Sequence, residues 1–375
     1  MIKNLVIISL YLIPYLGFSQ LTISPGTVVR TNALISTDGN VINGSESVLF
    51  EQGSELLLNG SADQGINAVQ NLFLPTLSIE GGGNKAIFGS VVISNQLNLT
   101  EGFLVVPGEI DDNNLILLNG ASATTDGTSW VSGPLLQQGS GSKSYPLGAA
   151  GRYAPIELDI SGNDETITGA FAIRNSNVFT LRDLPASIDS ASNAWLWAVF
   201  SNNLTSLGVT LPILAEDEGI FSGRDELLPV VLEADTVENL SANLGGSTTS
   251  FATGLNGVSS QDRSTNSSSG GEFAKIFLLG AELTTVPIIH NIITPNNDGS
   301  NDYLIIDAIG VYGDSNEVIL LDRWGTEIYR KKNFRNFNDI DNPYDGSFDD
   351  LSPGNYICIL KYAGQTAKQV ITVLN

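Results

Sequence analysis

The sequence has very few of the residues that commonly carry catalysis or cross-links. Its 375 residues include one histidine, His290, and one cysteine, Cys358. A Ser-His or Cys-His catalytic pair is therefore excluded from every region that lacks His290. One His and one Cys cannot build a zinc site, and one Cys cannot form an internal disulfide. Because hydrophobicity alternates along "YICILKY", we expect Cys358 to be a buried core residue.

Basic residues are also scarce. There are 17 Lys and Arg against 40 Asp and Glu, which gives a net charge of −23. Such an acidic chain repels nucleic acid and anionic membranes, so we expect no nucleic-acid partner. Charged residues make up only 15% of the chain, whereas glycine occurs 39 times. This composition is typical of short strands joined by many turns, and it predicts an all-β fold.

The only extended apolar run is at the start of the sequence. Lys3 precedes the apolar run Leu5 to Leu16, and Gly17 and Ser19 lie at positions −3 and −1 of a cut before Gln20. This pattern predicts a secretory signal peptide over residues 1–19, with a buried N-terminal strand as the alternative. The run is too short to span a membrane, and no later run is longer. Without residues 1–19 the chain has 16 basic and 40 acidic residues, a net charge of −24.

Residues 20–139 consist of short alternating apolar runs that end in glycine. "LLLNG" (Leu56 to Gly60), "LNLTEG" (Leu97 to Gly102) and "LILLNG" (Leu115 to Gly120) resemble degenerate copies of one unit. A repeat of about twenty residues predicts a β-solenoid, in which successive coils stack their apolar faces. A meandering β-sandwich is the alternative, because alternation does not distinguish parallel coils from hairpins.

A Gly/Ser-rich stretch, "QQGSGSKS", separates this region from residues 140–287, which we predict to be a second, antiparallel β domain. Trp195 and Trp197 lie two residues apart in "AWLWAVF", so their rings share one face of a strand. On an inner face the two rings are core residues. On a solvent face the two rings would stack on sugars, and Trp130 is a third tryptophan that could do so.

Residues 288–375 have sharper turn signals. "EVILLDRWGTEIYRK" predicts a hairpin whose turn lies at Trp324-Gly325, and Pro353-Gly354 is placed for a type II turn before a buried strand. "KQVITVLN" predicts a closing strand. Together these signals predict an Ig-like β-sandwich of about ninety residues.

Four segments of this last region occur in a fixed order: "TPNNDGSND", "DRWGTEIY", "YDG" and "LSPGNYICIL". Together they resemble the gliding motility-associated C-terminal domain, the type B sorting domain of type IX secretion in Bacteroidetes. The resemblance implies recognition by the outer-membrane type IX apparatus with a PorP/SprF-type partner. It also implies passage through the periplasm to the outer cell surface or the medium.

The residues that this resemblance assigns to the sorting motif are Thr294, Pro295, Asn296, Asp298, Gly299, Asn301, Asp302, Arg323, Trp324, Gly325, Asp345, Gly346, Pro353, Gly354 and Tyr356. The sequence departs from the family at Tyr344, where a tryptophan is usual. The aromatic exchange should keep the packing. The interrupted stretch "NFNDIDNP" before it lengthens a loop.

The stretch "TPNNDGSND" also has the composition of a calcium loop. It lacks the first acid of an EF-hand, and Ile305 replaces the bidentate glutamate, so it is not an EF-hand. A shorter oxygen cage would use Asn296, Asp298, Ser300 and Asp302 to hold calcium. The alternative is a turn in which Asn and Asp bind their own backbone. We expect that no cofactor is required.

One basic cluster and two acidic groups have two interpretations each. Arg330, Lys331, Lys332 and Arg335 in "YRKKNFR" form either a solvated hairpin extension or a docking patch for an anionic partner. The acid groups Asp111-Asp112 and Glu216-Asp217-Glu218 would suit glycoside hydrolysis, which needs no histidine. Adjacent acids in loops are more commonly solvated turns.

The sequence therefore predicts an exported, adhesin-like protein with a structural or adhesive role, which is not an enzyme and has no transmembrane segment. Its ligand would be a surface glycan or another protein. The alternative is a secreted glycan-binding or carboxylate-dependent glycan-degrading protein, which would use the carboxylates above or Trp130, Trp195 and Trp197.

Overall fold

A computed structural model of the chain describes residues 7–9, 15–18, 20–46, 48–107, 114–174, 184, 188–221, 227–236, 239–265, 273–283, 287–296, 298–310, 312, 316–336, 348, 350–362 and 365–374. Across these residues the regular structure is β, apart from 3-10 structure at Glu218–Ile220 and at residues 309–310 and 312. The predicted all-β fold is confirmed. No helix of the described part is long and apolar enough to cross a membrane.

The chain forms two compact units. The first takes residues 1–183, 191–222 and 229–280, and the second takes residues 184–190, 223–228 and 281–375.

The first half of the first unit is built from fifteen strands in parallel stacks. They are β1 Ile7–Ser9, β2 Tyr15–Phe18, β3 Leu21–Ile23, β4 Val28–Thr31, β5 Leu34–Thr37, β6 Val41–Asn43, β7 Val48–Phe50, β8 Glu55–Leu58, β9 Gln64–Ile79, β10 Asn84–Leu99, β11 Phe103–Val105, β12 Asn114–Leu117, β13 Ser122–Thr125, β14 Val131–Ser132 and β15 Leu135–Gln138. Strands β5, β8, β9, β10 and β13 pair in parallel along one face. The pairs β3–β6, β6–β9 and β10–β12 are parallel as well. Parallel pairing of this kind confirms the solenoid and rules out the sandwich for this region.

The repeat is set by apolar residues that stack from coil to coil. Leu56, Leu77 and Leu97 occupy equivalent positions in the parallel register, and each is fully buried. "LLLNG" and "LNLTEG" are therefore true copies, and the copy between them is the stretch that begins at Leu77. The prediction for "LILLNG" was wrong, because Leu115 pairs with Val91 on a different face of the coil.

The corners of the coils require glycine where one coil passes close to the next. A Cβ atom added to Gly81, which has a φ of 77°, would lie 2.1 Å from the carbonyl oxygen of Asn59. No side chain fits at that distance. The glycines that punctuate the repeat therefore follow from the stacking distance between coils.

Two polar side chains inside the solenoid form hydrogen bonds to the backbone of the preceding coil. The side-chain amide of Gln64 donates to the backbone carbonyls of Thr37 and Gly39, at 3.0 and 2.7 Å. One coil later, the fully buried Lys85 takes the equivalent place in the register. Its ammonium donates to the carbonyls of Gly60 (2.6 Å), Ala62 (3.1 Å) and Gly82. Burial lowers the pKa of Lys85, since removal from water disfavours the charged form.

The predicted signal peptide overlaps the first two strands. Strand β1 pairs in parallel with β4, and β2 pairs in parallel with β5. This is the strand structure that the alternative interpretation described, and most of residues 1–19 lie outside the described residues. The signal peptide stays a prediction.

The strands between residues 141 and 283 are mainly antiparallel. They are β16 Gly141–Tyr145, β17 Gly148–Ala149, β18 Arg152–Tyr153, β19 Ile156–Ser161, β20 Ile167–Arg174, β21 Ile188–Ala191, β22 Trp195–Ser201, β23 Ser206–Pro212, β24 Leu227–Thr236, β25 Asn239–Asn243, β26 Ser247–Ser250, β27 Asn256–Ser259, β28 Ser264–Thr265 and β29 Phe273–Leu283. They belong to the first unit except for residues 188–190, 227–228 and 281–283, which belong to the second. Strand β15 of the solenoid continues into an antiparallel sheet through β20, β22 and β29. A second antiparallel sheet has the order β16-β19-β23-β27-β26, and β28 pairs with β23.

The change from parallel to antiparallel pairing occurs at β15, close to the predicted boundary at residue 139. The apolar core does not divide there. Leu97 and Leu117 of the solenoid, Leu158 and Val209 of the second sheet, and Phe277 of the first sheet belong to one buried cluster. The three-domain division stays a prediction, and the two regions before residue 287 share a core.

The second unit contains β30 Ile288–Ile289, β31 Ile292–Ile293, β32 Ile306–Asp307, β33 Asn316–Leu321, β34 Glu327–Lys332, β35 Gly354–Tyr362 and β36 Gln365–Val373. Five of them form a sheet in the order β31-β36-β35-β33-β34, and β30 pairs with β32. The inner face of the sheet buries Val318, Leu320, Cys358 and Leu360. The predicted burial of Cys358 is confirmed, and the Ig-like topology stays a prediction.

Candidate functional site

The loop between β31 and β32 is held by side-chain hydrogen bonds to its own backbone. The Asp302 carboxylate accepts the backbone N–H groups of Asn296 (3.2 Å) and Gly299 (2.8 Å). The Asp298 carboxylate accepts the Ser300 N–H at 2.8 Å, and the Asn296 side-chain oxygen accepts the Asp298 N–H at 3.0 Å. These are the bonds of a turn rich in Asx residues.

The two ends of this loop are closed by Thr294. Its N–H donates to the carbonyl of Asn301 at 2.7 Å, and its hydroxyl donates to the carbonyl of Ser300 at 2.8 Å. Asn301 has a φ of 54°, a conformation that asparagine tolerates better than most residues. The Ser300 carbonyl, a candidate calcium ligand, therefore already accepts a hydrogen bond. No cluster of three or more His, Cys, Asp or Glu suited to a metal occurs among the described residues.

Calcium binding by Asn296, Asp298, Ser300 and Asp302 stays a prediction, and we expect it to show as thermal stabilisation. A ligand present at a hundred times its Kd adds about 2.7 kcal/mol to the free energy of unfolding. The measurement is the melting temperature of the chain in millimolar calcium and in chelator, with Asp298→Ala as the control that should lose the difference. Equal melting temperatures in the two conditions would leave the loop as a self-contained turn.

The predicted hairpin is formed by β33 and β34, and its turn is at Trp324-Gly325 as expected. The Asp322 carboxylate accepts the backbone N–H groups of Trp324 and Thr326, both at 2.8 Å. The Gly325 N–H donates to the Asp322 carbonyl at 3.0 Å, and Gly325 has a φ of 82°. The Arg323 guanidinium lies 5.3 Å from the centre of the Trp324 ring. Asp322 thus fixes a tip that carries an arginine and an indole.

The segment at Pro353-Gly354 differs from the predicted type II turn. Gly354 has a φ of 158° and is the first residue of β35, where it pairs with Val373. A type II turn would need a φ near +80° at that glycine. The reversal of the chain occurs earlier, where the Leu351 N–H donates to the Phe348 carbonyl at 3.0 Å.

Strand β35 then carries the other predicted residue of this segment. The Tyr356 hydroxyl donates to the carbonyl of Ser352 at 2.7 Å, which anchors the start of the strand. Burial raises the pKa of the Cys358 thiol to about 12, so this thiol is unreactive at neutral pH. The "YDG" segment, with Tyr344, Asp345 and Gly346, lies outside the described residues.

Comparison with protein families gives a match for the C-terminal part of the chain. Residues 287–373 match the family model of the CHU_C type IX secretion signal domain. The match confirms the resemblance drawn from the four ordered segments, and its limits agree with the predicted domain to within a few residues. A domain of this family supports export by the type IX secretion system to the cell surface or the extracellular space. Comparison with curated proteins and with solved structures gives no match.

The basic cluster of the secretion signal domain lies on β34 and just after it. Arg330 forms ion pairs with Glu317 (2.8 Å) and Glu327 (2.6 Å), and Lys361 contacts Glu317 at 3.2 Å. Strand β34 is at the edge of its sheet and is mostly exposed. These observations favour the solvated hairpin over the docking patch for Arg330.

The tryptophans of the first unit are core residues. Trp195 and Trp197 are completely buried and their rings stack at 6.4 Å, and the Trp197 indole N–H donates to the carbonyl of Ala154 at 3.0 Å. Trp130 is also buried, against Phe103 at 4.3 Å. The core interpretation of Trp195 and Trp197 is confirmed, and Trp130, at 8% exposed, offers too little surface to stack on a sugar ring.

The three acidic side chains at 216–218 differ in their environments. Glu216 contacts the guanidinium groups of Arg152 (3.4 Å) and Arg174 (3.6 Å). Asp217 is 1% exposed and accepts hydrogen bonds from the Ser192 hydroxyl and from the Leu214 N–H at 3.3 Å. Asp217 is thus unavailable to a substrate, whereas Glu218 is exposed. Asp111-Asp112 lies outside the described residues.

The buried carboxyl of Asp217 should make stability depend on pH. Burial, as the largest effect, raises its pKa from 3.8 to about 6. A carboxyl that binds its proton more tightly in the folded state stabilises the fold most at low pH. That contribution is lost as pH rises from about 4 to about 6, and two pKa units correspond to about 3 kcal/mol.

We expect Asp217→Asn to remove this fall in stability between pH 4 and pH 6. The measurement is the urea midpoint of both proteins at several pH values, compared as a difference. Glu218→Gln, at the exposed neighbour, serves as the control and should keep the wild-type dependence. An unchanged pH dependence in Asp217→Asn would show that folding does not raise the pKa of this carboxyl.

Two grooves were not foreseen from the sequence. One, of about 390 Å³, lies on the solenoid beside Phe88, which is 48% exposed. Its lining is Asn40, Val41, Ile42, Asp63, Gln64, Gly65, Asn67 and Phe88. The other, of about 330 Å³, lies on the second sheet. There Arg263 is bound to Asp159 at 2.5 Å and to Ser206 at 2.9 Å, so its guanidinium already has partners. The groove beside Phe88, in contrast, combines an aromatic ring with amide and carboxylate side chains.

Proposed function

We propose that this protein is a type IX cargo that is delivered to the outer cell surface or the medium through its C-terminal secretion signal domain. The observation that carries the proposal is the match over residues 287–373. A signal peptide at residues 1–19 takes the chain to the periplasm, and a PorP/SprF-type outer-membrane protein is the partner at the second step. The test is fractionation of producing cells with N-terminal sequencing of the exported chain, which should begin at Gln20. A chain that stays in the periplasm would contradict the proposal.

Removal of the signal peptide is compatible with the fold. Among the described residues, β1 pairs with β4 and β2 pairs with β5. After cleavage β4 keeps its pairing with β7, and β5 keeps its pairing with β8. The cut therefore shortens the solenoid by its first strands and leaves the following coil paired on one side.

The exported part is a structural or adhesive scaffold and not an enzyme. Stacked parallel coils and a continuous apolar core support this role, because they give a rigid body without a metal or a disulfide. The candidate carboxylates also support it, since Asp217 is buried and Glu216 is held by two arginines.

A second candidate function, glycan binding, is favoured by the groove beside Phe88. Exposed aromatic rings offer a face for sugar rings, and carboxamides and carboxylates offer hydrogen bonds to hydroxyl groups. Asn67 is exposed in this groove. The glycan would thus lie along the flank of the solenoid and not on the buried tryptophans.

A glycan array and a hydrolysis screen on the mature chain separate these functions. Glycan binding at the groove should be lost in Phe88→Ala and kept in Phe73→Ala, whose ring is 54% exposed but lies outside the groove. We expect no hydrolysis. Turnover that disappears in Glu216→Gln or Glu218→Gln would contradict the structural role.

A further inference from the structure

The largest exposed apolar side chain of the secretion signal domain is at the tip of the β33–β34 hairpin. Trp324 is 79% exposed, whereas Trp130, Trp195 and Trp197 are buried in the first unit. Both neighbours in the turn, Arg323 and Gly325, are exposed as well. An exposed indole contributes nothing to the core of its own domain, and its burial by a partner would release a large apolar surface from water.

The tip is also held in one conformation before any partner binds. Asp322 accepts the N–H groups of Trp324 and Thr326, and the Asp322 N–H donates to the Thr326 carbonyl at 2.9 Å. The Arg323 guanidinium over the indole, at 5.3 Å, restricts both side chains further. A preorganised group loses little conformational freedom on binding, and tryptophan and arginine are the residues most enriched at the energetic centres of protein interfaces.

The charge of the β33–β34 hairpin as a whole differs from that of the rest of the chain, with Arg323 at the tip and Lys331 and Lys332 at the end of β34 away from it. Residues 316–335 contain five basic residues and three acidic ones, a net charge of +2. Since the whole chain has a net charge of −23, all other residues together carry −25. An acidic partner surface would therefore be repelled by most of the chain and attracted at this hairpin.

We propose that residues 322–326 insert into an apolar pocket with a carboxylate rim on a protein of the secretion apparatus. The indole of Trp324 fills the pocket and Arg323 pairs with the rim. This inference rests on the proposed function, and it assigns recognition to one turn of the domain.

The experiment uses the full chain in producing cells, with export measured as the ratio of surface and medium protein to periplasmic protein. Trp324→Ala should lower that ratio at least tenfold, and Trp324→Phe should lower it less, because a smaller ring still enters the pocket. Arg323→Glu should also lower it about tenfold, since it places a carboxylate against the rim. Val370→Ala is the matched control, because Val370 is 53% exposed in the same domain but lies on β36.

The fold of each variant is checked through Cys358, the single thiol of the chain, which is buried in the folded domain. A variant whose thiol resists alkylation under native conditions has kept the domain folded. If the Cys358 thiol of Trp324→Ala reacts under native conditions, that variant is not folded. The export ratio of Arg323→Glu then tests the proposal, because this change affects only a solvated side chain.

Several results would overturn the inference. Normal export of Trp324→Ala or of Arg323→Glu would do so, as would an equal loss of export in Val370→Ala. A purified chain that binds phosphatidylcholine–phosphatidylglycerol vesicles only when Trp324 is present would assign the tip to a lipid surface instead. Removal of residues 287–375 separates the two proposals. Trapping of the truncated chain together with normal export of Trp324→Ala refutes only the role of the tip, whereas export of the truncated chain refutes the proposed function.

Discussion

Removal of residues 287–375 is expected to leave the rest of the chain soluble and confined to the periplasm. The proposed signal peptide at residues 1–19 remains, so we expect transport across the inner membrane to continue, and only the signal for crossing the outer membrane is removed. The remaining chain should fold, because its large apolar cluster is formed entirely by residues between Ile35 and Leu279. A cut after residue 286 also leaves β29 complete. The measurement is cell fractionation with a periplasmic marker.

The control for this truncation is a full-length chain with Phe73→Ala, a surface change in the first unit that should be exported normally. Solubility and melting temperature of the truncated chain show whether it is folded. Truncated protein at the cell surface or in the medium would show that the C-terminal domain serves the function of the exported protein and not its delivery.

Lys85→Met is expected to destabilise the solenoid clearly. The buried ammonium donates to the carbonyls of Gly60, Ala62 and Gly82, which join two successive corners. Methionine has a similar length but no donor, so the buried carbonyl of Gly60 and the partly buried carbonyls of Ala62 and Gly82 lose their partner. A buried acceptor without a partner costs about 1–3 kcal/mol, so we expect a loss of about that size. The measurement is the urea midpoint of the mature chain.

Arg30→Met is the matched control, because it also replaces a cation of the solenoid with an apolar residue of similar length. The Arg30 side chain is mostly exposed and lies 3.9 Å from Glu51, so its loss should cost well under about 1 kcal/mol. A midpoint for Lys85→Met equal to that of Arg30→Met would show that water satisfies the three carbonyls and that Lys85 does not tie the corners together.

The solenoid could be predicted from the sequence because stacking demands the same residue type at the same place in each coil. Leu56, Leu77 and Leu97 meet that demand. The error at Leu115 has the same origin, since every face of a coil needs an apolar run and a turn at its end. Periodicity identifies the coil but not the face.

The Asx turn at Asn296 to Asp302, one of the two interpretations of that stretch, and the hairpin tip at Asp322 to Thr326 follow from the sequence because their hydrogen bonds are local. Each carboxylate binds N–H groups that lie at most six residues away. The prediction for Gly354 was wrong because a distant strand decides its conformation, through the pairing with Val373.

Burial that depends on a second structural element could not be predicted from the sequence. Alternation places Trp195 and Trp197 on one face, but the interior of the first unit determines that this face is buried. The cage around Lys85 and the burial of Asp217 likewise come from residues 20 or more positions away, apart from Gly82 and Leu214. The exposure of Trp324 was missed for the same reason, because only the fold shows that most of its side chain is exposed.

The sorting role of the C-terminal domain is tested by transfer of residues 287–375 to an unrelated periplasmic reporter in cells with an intact type IX system. If this domain is a sufficient address, the fused reporter reaches the cell surface or the medium, while the reporter alone stays in the periplasm. The same fusion should stay in the periplasm of cells that lack the apparatus. A fused reporter that remains in the periplasm of intact cells, although its C-terminal domain is folded by the Cys358 criterion, would contradict the account.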